Sequence, residues 1–117
     1  KPEQALIVFE EVISNPASPD AAARARLGLA RILAQQEDRL AAANRQAMAV
    51  FILSTDPQLC TEAMLLSIQL SLRLGRKDEA ASTWRELRQR FPEAAASDAG
   101  RAAATALAAA GVATDQP

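Results

Sequence analysis

Apolar residues recur at spacings of three and four along most of the chain, which is the period of helices that bury one side. Six helices are predicted from these runs, spanning residues 2–14, 20–34, 38–53, 57–74, 78–91 and 97–110. Their expected N-caps are Asp20, Asp56, Asp78 and Ser97 or Asp98, because short polar side chains accept hydrogen bonds from a first turn. Gly75 and Gly111 are expected to end two of them.

The fourth of these helices is the contested one. Residues 66–74 alternate strictly between apolar and polar types, and that period is typical of a strand. On a helix the same residues form two apolar stripes, which suit an element packed between neighbours. Because only Ile68 is β-branched in this run and no other segment offers a pairing strand, the helix is favoured.

Prolines divide the chain at a nearly regular interval. Pro16, Pro57 and Pro92 each follow one amphipathic run and precede another, 41 and 35 positions apart. Proline disfavours the α conformation in the residue before it, so each marks a helix boundary. Periods of this length are typical of helical repeats. Short loops between the helices predict antiparallel neighbours, and hence a row of helical hairpins.

Residues 61–94 resemble one tetratricopeptide repeat. The matching positions are Gly75 in the turn, then Ala80, Trp84, Leu87 and Pro92; the positions that depart from the pattern, all in the first helix, are Met64, Ser67, Ile68 and Ser71. The resemblance implies an all-α, right-handed α-solenoid of about three stacked antiparallel hairpins over residues 1–111, with six helices. Residues 112–117 are expected to form a disordered tail, having nothing to pack against.

The hairpin of residues 20–56 fits this family less well. It is longer than a tetratricopeptide hairpin and has no glycine in its turn. Another class of α-hairpin solenoid therefore remains open for the chain as a whole.

The composition bears mainly on catalysis. The chain has no histidine and one cysteine, Cys60, and its four glycines are isolated from one another. These facts remove Ser-His-Asp and Cys-His sites, histidine-bearing zinc sites and phosphate-binding glycine loops. Cys60 is interpreted as a small core residue, with a nucleophile at a helix start as the alternative. We predict no enzyme activity and no catalytic, cofactor-binding or metal-binding residue.

The basic residues of 73–90 and the single tryptophan each allow two interpretations. The basic residues of 73–90, namely Arg73, Arg76, Lys77, Arg85, Arg88 and Arg90, form either an anion-binding surface or solvated helix surface with a Glu86–Arg90 pair. The second reading is favoured, because the formal net charge is only −1. Trp84 is either an interface anchor or a core residue, and its spacing to Ala80 and Leu87 favours the core.

The predicted function follows from the family resemblance. Repeats of this kind leave a concave groove lined by the first helix of each hairpin, here the second, fourth and sixth helices. On the fourth helix the groove positions are Glu62, Leu65, Gln69, Leu72 and Arg73. The expected activity is therefore non-catalytic binding of a peptide or partner protein.

Two other functional classes stay open. A structural or oligomerisation module would use the terminal helices, of which the first carries Leu6, Val8 and Phe9. A catalytic domain is the weaker alternative, because no nucleophile, base and orienting group occur together.

Charge and hydropathy also limit the partners and the location. Neither nucleic-acid binding nor membrane insertion is expected, because the charges balance and no apolar run is long enough to span a bilayer. The compartment is expected to be the cytoplasm or the periplasm. The alanine- and arginine-rich composition suggests a bacterial genome rich in G and C.

Overall fold

A computed structural model describes residues 2–14 and 19–114, and over these residues all regular structure is helical, with no strand. Helix is therefore confirmed for the contested segment, and the strand alternative is wrong. A single 3-10 turn, Glu37–Arg39, precedes α3. The helices are α1 Pro2–Ser14, α2 Pro19–Leu33, α3 Leu40–Leu53, α4 Pro57–Arg73, α5 Lys77–Arg90, α6 Pro92–Ala95 and α7 Asp98–Ala109.

The boundaries of α4 follow directly from its sequence. The Asp56 side chain accepts hydrogen bonds from the backbone N–H of Gln58 at 2.9 Å and of Leu59 at 3.2 Å, which confirms it as the N-cap. At the other end Gly75 has a φ of 75°, a left-handed conformation that glycine adopts without steric cost. The N–H of Arg76 then donates to the Ser71 carbonyl at 2.8 Å, closing a Schellman motif.

Several predicted boundaries need correction. The prediction of six helices misses α6, which begins at Pro92 in a segment expected to be a loop. The N-cap of α5 is Arg76, so Asp78 lies in the first turn, where a carboxylate is favoured by the helix dipole without capping. Asp20 likewise lies inside the first turn of α2. The predicted boundary at Pro16 falls outside the described residues.

The core of the molecule is centred on α4. Each helix packs against the next in sequence, and α4 contacts α2, α3, α5 and α7. The largest fully buried side chains include Val50, Met64, Ile68, Leu87 and Leu107, which come from four different helices. The radius of gyration is 14.1 Å, close to the ~13 Å expected for one compact domain of this length.

Residues 112–114, which the sequence analysis assigned to a disordered tail, contact α5 and α7 in the structure. Gly111 has a φ of 84°, and the N–H of Val112 donates to the Leu107 carbonyl at 2.9 Å. This second Schellman motif turns Val112 back onto the helix end, where it packs against the core. The carbonyl of Thr114 then accepts hydrogen bonds from Trp84 and Arg88 on α5. Residues 115–117 lie outside the described residues.

A buried polar cluster joins α3 to α4. The Ser67 hydroxyl donates to Asn44 Oδ1 at 2.7 Å, and Asn44 Nδ2 donates to the Ser71 hydroxyl at 3.5 Å. All three side chains are almost completely buried. Ser67 and Ser71 lie one helical turn apart, so a single asparagine on α3 satisfies both hydroxyls. The cluster fixes the register in which α3 packs on α4, because a shift would leave these polar groups unpaired.

Replacing Asn44 with leucine is expected to lower the free energy of unfolding by about 1–3 kcal/mol, because two buried hydroxyls lose their partner. The matched control is the triple variant Asn44→Leu, Ser67→Ala, Ser71→Ala, which removes all members of the cluster and should recover part of that loss. Urea unfolding followed by circular dichroism measures both. A triple variant less stable than the single one would contradict this account of the cluster.

Candidate functional site

The five groove positions of the sequence analysis share one side of α4. We call Glu62, Leu65, Gln69, Leu72 and Arg73 the α4 face. Gln69, at its centre, is exposed, whereas Leu65 and Leu72 are half-buried and pack against the core from the side. The face therefore offers partly exposed leucine surface around a solvent-exposed amide.

At its amino-terminal end, the α4 face is joined to α2 by an ion pair. Arg31 Nη2 lies 3.3 Å from Glu62 Oε2, in an ion pair whose side chains are 56% and 39% exposed. An exposed pair of this kind contributes at most about 1 kcal/mol to stability. Its main effect is to hold the Glu62 carboxylate toward α2.

At its carboxy-terminal end, the α4 face is joined through Arg73 to the turn that follows α2. Arg73 Nη2 lies 2.7 Å from Glu37 Oε1, and Arg73 Nη1 donates to the Ala34 carbonyl at 3.1 Å. The guanidinium thus uses two of its donors on a carboxylate and an orphan carbonyl near the helix end. Both charged residues of the face are consequently held in place by other parts of the chain.

Two clefts border the amino-terminal end of α4, separated by Gln58 and Glu62. The first cleft, of about 440 Å³, lies between α4 and the end of α5, with Phe91 and Pro92 among its lining residues. The second cleft, of about 480 Å³, lies between α4, α2 and α1, with Phe9 among its lining residues. Both open beside the α4 face and extend the surface that it offers.

The wall of the second cleft depends on a glycine. Phe9 of α1 packs directly on Gly28 of α2, so closely that a Cβ at position 28 would lie 2.5 Å from the ring atom Cζ. A larger residue at position 28 would require the Phe9 ring to shift from this position. Gly28 therefore allows the Phe9 ring to lie where it borders the cleft.

Arg90, one of the residues that line the first cleft, makes two side-chain contacts. Arg90 lies over the Phe91 ring, with its guanidinium carbon 5.0 Å from the ring centre, in a cation–π arrangement. Its Nη1 also donates to Glu86 Oε2 at 2.8 Å, which confirms the predicted Glu86–Arg90 pair. The hydrogen bond to the Glu86 carboxylate raises the pKa of Arg90 above its ordinary value.

The basic residues of 73–90 do not gather into one surface. Arg73 pairs with Glu37, Arg76 with Glu79 and Arg90 with Glu86, while Arg88 contacts the Thr114 carbonyl. The partners of these four arginines lie in the turn after α2, on α5 itself and in the segment after α7. This arrangement agrees with the interpretation as solvated, paired helix surface.

Cys60 and Trp84 both lie in the core. The alternatives were a nucleophile for Cys60 and an interface anchor for Trp84. Cys60 is 1% exposed, and its thiol donates to the Ser54 carbonyl at 3.2 Å. Trp84 is 5% exposed and packs with Leu87 and Leu107 in the cluster around α4. The core interpretation is thus confirmed for both residues.

Over residues 2–14 and 19–114, no three cysteine or acidic side chains lie close enough together to bind a metal ion. In the same part of the chain, no helix combines the length and the apolar character needed to span a bilayer.

Sequence reasoning did not identify the clefts beside the α4 face. Gln58 and Thr61 lie one turn before the predicted positions and share their side of α4, so helical periodicity would have found them. Phe9, Arg31 and Phe91 reach the site from other elements. No local pattern indicates their position, because it depends on how α1, α2 and α5 pack against α4.

Comparison with protein-family models, curated proteins and solved structures gives no significant match for this chain.

Proposed function

We propose that this protein is a non-catalytic scaffold that binds a peptide or a partner protein along the α4 face. In this proposal its helices form a small right-handed α-solenoid of the tetratricopeptide type. The contacts of α4 with both α2 and α7 support that arrangement, since first helices of successive hairpins are neighbours in a solenoid. The buried positions of Ala80, Trp84 and Leu87 also agree with it.

The observation that carries the proposal is the fixed geometry of the α4 face. Its two charged residues, Glu62 and Arg73, are tied to α2 and to the turn after it. Gln69 is exposed between them. These exposed pairs orient the two charged side chains only weakly, so they reduce the side-chain entropy lost on binding by a small amount.

The face also indicates the chemistry of the ligand. Leu65 and Leu72 are half-buried and provide apolar contact, while the Gln69 amide both donates and accepts hydrogen bonds. A helical or extended peptide with alternating apolar and polar side chains matches that surface. The two clefts at the amino-terminal end of α4 would accept its larger side chains.

Replacing Gln69 with arginine tests this assignment. Peptides selected from a random displayed library against the wild-type protein are expected to bind the Gln69→Arg variant at least about tenfold more weakly, because a bulky charge at the centre of the interface costs more than about 1.4 kcal/mol. Fluorescence anisotropy of labelled peptides measures the affinities.

Gln89→Arg is the matched control. Gln89 is also an exposed glutamine on a helix, with an arginine one turn away, but it lies on α5. Its substitution should leave peptide affinity unchanged. Selected peptides that bind both variants as tightly as the wild type would contradict the proposed binding face.

The second candidate function is self-association through the terminal helix. Ile7 and Val8 on α1 are 56% and 55% exposed, so adjacent aliphatic side chains of the terminal helix are uncovered. A second copy could cover them. Light scattering that shows a concentration-dependent dimer, lost in the Ile7→Glu variant, would favour this candidate over the peptide-binding scaffold.

A further inference from the structure

The end of the described chain lies across α5 in an unusual contact. Trp84 Nε1 donates to the Thr114 carbonyl at 3.0 Å, and Arg88 Nη1 donates to the same oxygen at 2.7 Å. Two side chains, one turn apart on a helix, thus converge on one backbone carbonyl of a non-helical segment. Hydrogen bonds to a main-chain atom of this kind do not depend on which side chain the bound residue carries.

Val112 anchors the same segment. It packs against the core beside Leu107, Ala113 is exposed, and Thr114 is half-buried. This alternation of inward and outward residues is typical of an extended chain lying on a surface. The segment therefore binds as an extended peptide would, with one apolar residue in the core and one carbonyl on a pair of donors.

The surface beneath the segment continues beyond it. Trp84 and Arg88 also line a hollow of about 340 Å³ together with Pro92, Ala95 and Ala96. The lining is mainly apolar apart from the two donors. A peptide longer than three residues would find further contact area there.

From these contacts we propose that the surface formed by Trp84, Arg88 and the adjoining hollow is a second peptide-binding site, which Val112–Thr114 occupies in this structure. Its ligand is an extended segment of a partner protein, with a small apolar residue two positions before the carbonyl that meets Trp84 and Arg88. This site is distinct from the α4 face. Val112–Thr114 of the same chain competes with the partner segment for this site.

The competition has a quantitative basis. A segment tethered by a short linker is present at an effective concentration in the millimolar range, so it excludes a free peptide of similar intrinsic affinity at micromolar concentration. A partner segment binds when its affinity for the site exceeds that of Val112–Thr114, or when Val112 no longer packs against the core. Gly111, with its left-handed backbone, is the residue at which the segment leaves α7.

The tryptophan itself reports on the site, because Trp84 is the only one in the chain. The Val112→Asp variant is expected to show a red-shifted Trp84 emission and stronger quenching by acrylamide than the wild type, because the displaced segment no longer covers the indole. Val112 contributes only at the margin of the core, so circular dichroism should show an unchanged helix content. Ala113→Asp, at an exposed position of the same segment, is the control and should leave the emission unchanged.

Binding in trans completes the test. The acetylated peptide Gly-Val-Ala-Thr-Asp-Gln-Pro, added at millimolar concentration to Val112→Asp, is expected to reverse the red shift in a saturable way, whereas a scrambled peptide does not. When Arg88→Ala is combined with Val112→Asp, the affinity for the added peptide should fall about tenfold, as expected for loss of a charge-assisted hydrogen bond. Adding Arg85→Ala should not weaken it. Unchanged Trp84 emission in Val112→Asp, or a peptide that binds no better than its scrambled form, would overturn the proposal.

Discussion

Replacing Trp84 with alanine is expected to lower the free energy of unfolding by about 3–5 kcal/mol, the range for removing a large aromatic side chain from a packed core. Trp84 is 5% exposed and packs between α4 and α7, so the surrounding helices cannot collapse fully into the space it leaves. The loss would be a large part of the roughly 5–15 kcal/mol that stabilises a typical domain. Urea unfolding monitored by circular dichroism measures it, since the variant lacks a tryptophan.

Two control variants separate packing from other effects. Arg85→Ala changes the exposed neighbour of Trp84 and should alter stability by no more than about 0.5 kcal/mol. Trp84→Phe keeps an aromatic ring in the core but removes the donor to Thr114, so its loss should be smaller than that of Trp84→Ala. A Trp84→Ala protein within about 1 kcal/mol of the wild type would show that the residue does not hold α5 in the core.

Replacing Gly100 with alanine is expected to have the second-largest effect, a loss of about 2–3 kcal/mol from steric overlap. The added methyl group would overlap the backbone carbonyl oxygens of Ala94 and Ala95, which belong to α6 and cannot rotate away as a side chain can. Alanine favours helix over glycine by about 1 kcal/mol. A net loss in spite of that preference would identify the close approach of α6 to α7 as its cause.

Ala99→Val provides the comparison for Gly100→Ala. Ala99 is the exposed neighbour of Gly100 in the first turn of α7, and extra methyl groups there meet solvent. The free energy of unfolding of Ala99→Val should stay within about 0.5 kcal/mol of that of the wild type. Hydrogen exchange should also show faster opening of residues 92–100 in Gly100→Ala alone. A Gly100→Ala protein more stable than the wild type would contradict the described contact between α6 and α7.

The helices of this protein could largely be predicted from the sequence, because the signals that set them are local. The Asp56–Pro57 pair and Gly75 mark the ends of α4 through capping and backbone conformation, which need no knowledge of distant residues. The same local reasoning failed at Arg76, where a helix begins without a side-chain cap. It also missed α6, since four residues are too few to show a period.

The buried contact between α3 and α4 could not be predicted from either helix alone. Ser67 and Ser71 both bond to Asn44 of α3. The polar pair on α4 and the asparagine on α3 are 23 and 27 positions apart. Their dependence on one another becomes visible only when the two helices are packed.

The α4 face could be placed on one side of a helix by periodicity, but its partners could not. Arg31 and Glu37 reach Glu62 and Arg73 across more than 30 positions of sequence. The contact of Val112 with Leu107 did carry a local signal, an apolar residue directly after the glycine that ends a helix.

The most direct test of the proposed function is to map where a selected peptide binds. The amide NMR spectrum of the labelled protein, titrated with a peptide selected against the wild type, should shift mainly at Glu62, Leu65, Gln69, Leu72 and Arg73 and around the two clefts. Signals of the outer surface of α5 should stay in place. Shifts confined to α5 and α7, or scattered over the whole molecule, would contradict the assignment of the α4 face as the binding surface.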